Sequence, residues 1–162
     1  MPAPLFATVP SDLADRDTLL SMSGRAFMEA IRDGALPGPP IAKTLNYRVD
    51  VVEDGRVTFH GAPLFDHCNP MGTVHGGWYG TLLDSCMACA VMTKVPTGSI
   101  YTTLEYKVNI TRPIPLGMEI VAEGIVSHAG RSTGVAEGTI RGREDGRLYA
   151  TGSTTCIIMR AG

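Results

Sequence analysis

Residues 76–93, GGWYGTLLDSCMACAVMT, contain a single carboxylate, Asp84, and no basic residue. Wound as a helix, the run has small or apolar side chains on every side. Such a helix is stable only if other elements cover most of its surface. A membrane would cover it, but Asp84 and the opening glycines break the apolar stretch a span requires. The cover must therefore come from the protein, and a curved sheet wrapped around one helix would supply it.

The flanking segments provide that sheet. Leu45 to Glu53 and Arg56 to Gly61 are separated by Asp54-Gly55, a pair that tight hairpin turns prefer. Beyond the helix, Thr103 to Ile110 alternates apolar Leu104, Tyr106, Val108 and Ile110 with polar partners, the period of a strand with one face on a core. Arg112-Pro113 and Pro115 to Gly117 end it. Segments 118–128, 132–142 and 147–159 follow at hairpin spacing, with turns at Ala129-Gly130 and Asp145-Gly146. Four successive antiparallel strands are expected. Residues 12–33 carry apolar residues at helical spacing, with a break near Gly24 and a stop at Gly34. LPGPP at 36–40 then blocks continuation and acts as a linker. The sum is an α+β chain with one antiparallel sheet, a long central helix and an extra N-terminal helix.

At 162 residues the chain is long enough for one buried core, with an expected extension over 1–43 and a main domain over 44–162. Fourteen basic against sixteen acidic residues, with no basic stripe, argue against nucleic acid as a partner. The first seventeen residues lack the basic start of a secretory or transit signal, so a cytoplasmic, non-membrane protein is expected. There the four cysteines are expected to be reduced.

Asp84 is the residue that most needs explaining, because buried acids are rare unless paired or functional. No Lys or Arg lies between Arg56 and Lys94 to neutralise it locally. The turn before the helix, His75-Gly76-Gly77, lets another molecule approach the backbone and aims unsatisfied N–H groups outward, a site suited to an oxyanion. Gly-Gly could equally form only a tight turn, and Asn69 before Pro70 could be only a turn former. His67, Cys68 and His75, or Cys86-x-x-Cys89, do not make the two matched ligand pairs of a zinc site, and the thiols read as core packing. Serine-elbow, dinucleotide and phosphate-loop motifs are missing from the sequence.

Asn69-Pro-Met-Gly-Thr-Val-His75-Gly-Gly, Asp84 nine residues after the histidine, and Thr103-Leu-Glu leading to Arg112-Pro113 together resemble the hotdog-fold acyl-CoA thioesterases of the phenylacetate-pathway type. The likeness runs from about residue 44 to 159. It implies a hotdog fold, a curved antiparallel sheet around one long central helix. It also implies hydrolysis of acyl-CoA or aryl-CoA thioesters without metal or organic cofactor. In such enzymes the helix-opening amide, here Gly76 or Gly77, polarises the thioester carbonyl, and Asp84 acts as general base or as nucleophile. Asn69 would hold the water or carbonyl, His75 would orient the turn, and Thr103 stands where relatives carry Ser or Thr. Arg112 and Arg131-Ser132-Thr133 are the candidates to hold the CoA moiety, though solvated turn residues would look the same.

Gly77 and Asp84 are seven residues apart, about 10 Å along a helix at ~1.5 Å per residue, too far for base, water and carbonyl to meet on one chain. A homodimer or dimer of dimers with shared sites is therefore expected, and the family is known for them. Trp78, Tyr79, Met87 and Met92 are the candidates to line an acyl pocket. A hotdog enoyl-CoA hydratase or dehydratase and a non-catalytic acyl-CoA binding protein are the competing readings.

Overall fold

The computed structural model describes residues 5–161. Six strands form one antiparallel sheet in the order β1-β2-β4-β5-β6-β3. They are β1 Tyr47–Glu53, β2 Arg56–Gly61, β3 Ser99–Ile110, β4 Ile120–Ala129, β5 Thr133–Gly142 and β6 Leu148–Arg160. Asp54-Gly55 makes the first hairpin turn, with Gly55 at φ 76°. Strands β4, β5 and β6 pair in hairpin succession, and β3 is the exception. Strand β3 crosses to the far edge and pairs with β6, while β4 joins the first hairpin through β2. The proline-punctuated stretch from Arg112 to Gly117 makes that crossover; its missing amide hydrogens keep it out of the ladder.

The central helix α4, Gly76–Met92, lies across the concave face of the sheet. Close contact is possible because Gly124, Gly138 and Gly152 stand opposite one another on three neighbouring strands. A side chain at Gly124 would run into the Cys86 carbonyl, and one at Gly138 or Gly152 into Met87 and Leu83. The helix face opposite that groove is the less covered one, and it carries Gly77, Thr81, Asp84 and Ser85. Leu82, Leu83, Cys86, Met87 and Val91 are fully enclosed. Burying each such side chain contributes on the order of 1.5–3 kcal/mol.

The N-terminal region is two helices, not one. Helix α1, Arg16–Ser21, starts at an Asp15 cap. It gives way at Met22-Ser23, where the Ser23 hydroxyl caps α2, Gly24–Arg32. A serine there offers the backbone a competing hydrogen bond that restarts the helix. Gly34, at φ 76°, ends it as expected. The proline segment 36–40 does more than link: Pro39 and Pro40 open a short helix α3, Pro40–Thr44. Proline fits the first helical position because the N–H it lacks would be unbonded there anyway.

Strand β3 departs from its expected form in two ways. It begins at Ser99, and a bulge between Thr103 and Glu105 shifts its register against β6. Thr103 contacts α4 before the bulge, and Tyr106 and Ile110 approach it after. The apolar face expected to lie on a core remains substantially open: Leu104 is 59% exposed, Tyr106 46% and Ile110 49%. Because β3 is an edge strand, its outer backbone groups are also unpaired within the chain.

Candidate active site

The loop before α4 is built to present the start of the helix. Asn69 holds it: its backbone N–H donates to Thr73 O (2.8 Å), its Oδ1 accepts from Met71 N–H (2.9 Å), and its Nδ2 donates to Thr73 Oγ1 (2.9 Å). The side chain is thus a turn former here, with one amide hydrogen left over. His67 supports the loop from below. Its Nδ1 accepts from Leu64 N–H (2.9 Å), so Nε2 carries the proton and donates to Thr44 O (2.8 Å). The ring stacks on Trp78, whose Nε1–H donates to Leu45 O (2.9 Å). His67 is a structural histidine, and among the described residues no cluster of three or more metal-binding side chains occurs.

His75 is the N-cap of α4. Its Nδ1 accepts a hydrogen bond from Gly77 N–H (2.8 Å). The sequence left Gly76 and Gly77 as equal donor candidates, and this bond separates them. Gly77 N–H is committed to the imidazole, whereas exposed Gly76 N–H has no protein acceptor among the described residues. The helix macrodipole adds a partial positive charge at that point.

Asp84 lies two turns further along the same helix face. Thr103 Oγ1 donates to Asp84 Oδ1 (2.9 Å), the one side-chain hydrogen bond the carboxylate receives among the described residues. Partial burial pushes the Asp84 carboxyl above the usual aspartate range, and the Thr103 bond opposes that shift in part. Such a carboxylate can take a proton from water nearer neutrality than an ordinary aspartate can. Beside it, Ser85 Oγ and Tyr47 OH share a hydrogen bond of 2.9 Å. Burial pushes the Tyr47 phenol up to about 12, so it stays protonated.

The structure therefore joins Asp84 to Thr103 and groups Asn69, His75 and Gly76 at the helix start. It leaves the two groups separated along one chain. The CoA candidates are also apart. Arg112 is exposed, and its N–H donates to Tyr149 O (3.2 Å), near the Gly76 end of α4. Thr133 pairs with Ile157 at the other end of β6, about 26 Å away at ~3.3 Å per residue. Trp78, Tyr79, Met87 and Met92 are buried against the sheet and line none of the larger cavities among the described residues. Helix direction, which the sequence could not supply, points them into the core. Ser85, Cys89 and Tyr101 instead border a cavity of about 590 Å³.

A six-stranded antiparallel sheet around one long central helix is the hotdog fold. The model of the Thioesterase superfamily matches residues 71–149, from the loop before α4 into β6, and that segment is a domain of this superfamily. Mouse (Mus musculus) acyl-coenzyme A thioesterase 13 is 29% identical over 89 residues, 55% of this chain. The match spans 63% of that relative, less than two thirds of its length. A thioesterase family protein from Silicibacter pomeroyi superposes with a TM-score of 0.70 at 28% identity, covering 75% of this chain and 90% of that one. A variant of the phenylacetic acid degradation protein PaaI from Thermus thermophilus gives 0.66 at 25% identity, covering 73% and 97%. A Streptococcus pneumoniae thioesterase protein, solved with coenzyme A, gives 0.63 at 26% identity, covering 72% and 89%.

Proposed function

We propose that the chain hydrolyses acyl-CoA or aryl-CoA thioesters to the free acid and CoA. The observation that carries this is the pairing of a half-buried carboxylate of raised proton affinity, Asp84, with an unbonded amide, Gly76 N–H, on one open face of α4. Asp84 takes a proton from water as that water attacks the thioester carbonyl carbon. Negative charge develops on the carbonyl oxygen, which accepts from Gly76 N–H. Collapse of the tetrahedral adduct breaks the carbon–sulfur bond, and the proton held at Asp84 passes to the leaving thiolate. Thr103 orients the carboxylate, while His75 and Asn69 fix the backbone that points the amide. Arg112 and Arg131-Ser132-Thr133 bind the CoA phosphates or adenine. The reaction draws on no metal or organic cofactor.

The site is shared between two copies. Gly76 and Asp84 are about 12 Å apart at ~1.5 Å per residue, beyond what one water and one carbonyl can bridge. The unpaired β3 edge and its open Leu104, Tyr106 and Ile110 face are suited to a second copy, whose Asp84 would then approach this chain's Gly76. Dimers of dimers fit the same scheme.

Free-thiol release from a panel of acyl- and aryl-CoA thioesters tests the reading. Turnover that survives EDTA is expected. Hydration of an enoyl-CoA without thiol release, or CoA binding with no turnover of any thioester, would replace it with one of the competing readings.

A further inference from the structure

The cavity of about 590 Å³ lies between the N-terminal segment and the domain body. Phe6, Leu19, Phe27 and Ile31 form its outer wall, and all four precede the residues matched by the thioesterase model. Its inner wall includes Tyr47, Phe59, Ser85, Cys89 and Tyr101, and Arg48, Asp50 and His60 also border it. The inner wall adjoins the candidate base. Ser85 follows Asp84 directly, and Cys89 is one further turn along α4 on the same side. Tyr101 precedes Thr103 by two residues on β3, so both side chains leave the same face of the strand. Burial raises the proton affinity of Tyr47, Cys89 and Tyr101, and the Asp84 charge adds to it in each. The hydroxyls of Tyr47 and Ser85 satisfy each other, which leaves the surface they present to the cavity largely apolar.

We propose that this cavity is the acyl pocket of the site, that it takes a long unbranched apolar acyl chain, and that the segment from Leu5 to Pro39 is its specificity-determining wall. The proposal rests on the thioesterase reading above. At about 30 Å³ per methylene-sized group, the share a water takes in the liquid, the cavity of about 590 Å³ has room for a chain of up to about twenty carbons. A polar or very short acyl group would leave apolar wall in contact with water, so the pocket discriminates by chain length.

Two measurements test this on the full chain. In the first, kcat/KM for thiol release is followed from acetyl-CoA to hexadecanoyl-CoA. It should climb by about threefold to fourfold for each methylene that enters the cavity, with the long chains well above acetyl-CoA. Leu19→Trp and Ile31→Trp, on different helices, should each lower the decanoyl-to-acetyl ratio of kcat/KM about tenfold or more. In the second, calorimetry compares S-decyl-CoA with S-ethyl-CoA, two thioethers that cannot be hydrolysed; the decyl compound should bind more tightly, and either tryptophan variant should erase the difference. Equal affinities for the two thioethers, or a flat chain-length profile untouched by both variants, would overturn the pocket. Tight S-decyl-CoA binding with no thiol release from any thioester would instead sink the hydrolytic reading and leave the pocket standing.

Discussion

Replacing Gly76 with proline would replace its amide hydrogen with a ring carbon and so remove the donor. Gly76 is the first residue of α4, where proline's fixed φ suits the helix and its missing N–H breaks no intrahelical bond. His75 before it is already extended, at φ −64° and ψ 139°, the conformation a residue preceding proline prefers. Gly76 does not have a positive φ, and a Cβ placed there meets only Ile110 Cδ1, at 3.6 Å. The His75–Gly77 cap need not be disturbed. What disappears is the N–H proposed to face the carbonyl oxygen. Loss of one such donor costs about a hundredfold to a thousandfold in kcat, roughly 2.7–4 kcal/mol of barrier. Gly76→Ala is the control for the added Cβ, since it keeps the N–H. The assay is free-thiol release from decanoyl-CoA, with thermal melting to verify that both variants fold. A proline variant as active as the alanine variant would refute the assignment of Gly76 N–H as the oxyanion donor.

Thr103→Val removes the hydrogen bond that holds the Asp84 carboxyl down, so the acidic limb of the kcat–pH profile should move to higher pH; an unmoved or lowered limb would contradict the pairing. Stability should respond to Asp84 with a definite sign. The folded chain holds the Asp84 proton more tightly than the unfolded chain does, so stability falls as pH rises from the ordinary value of 3.8 through the raised folded value. Asp84→Asn should abolish that decline, and thermal melts across pH should show the variant gaining on the native chain as pH rises through that window. Sharing of the site is read by mixing: Asp84→Ala and Gly76→Pro chains, each inactive alone, should regain activity on co-refolding, because a heterodimer keeps one of its two sites whole. Verified heterodimers without activity would count against a shared site.

The parts of the fold that were legible in the sequence are those where one local pattern decides the structure. Asp54-Gly55 marks its hairpin, and the apolar run from Gly76 marks the central helix with its one carboxylate. Tertiary choices were hidden. Nothing in Thr103 to Ile110 says that the strand crosses to the far edge beside β6, nor that a bulge reverses its facing partway along. Periodicity put Leu104, Tyr106 and Ile110 on one core-facing side, but the bulge falls at Leu104, and an apolar face left open has the same period as one on the chain's own core. The break expected near Gly24 falls at Met22-Ser23, and its capping serine, three residues before Ala26, is a signal the sequence also carries. For the site, the spacing from His75 to Asp84 exposed the constellation through its family likeness. The choice between Gly76 and Gly77 required the His75 hydrogen bond, and the cavity walled by residues 5–39 required the fold.

The most direct measurement is the turnover of Asp84→Asn against the native chain on the best thioester of the panel, with both chains shown to fold and to assemble alike. Asparagine keeps the size of the side chain and can still accept from Thr103, but it cannot take a proton from water. Loss of the general base predicts a kcat lower by about a hundredfold or more, with substrate affinity little changed. An asparagine variant that released thiol at the native rate would contradict the account at its centre.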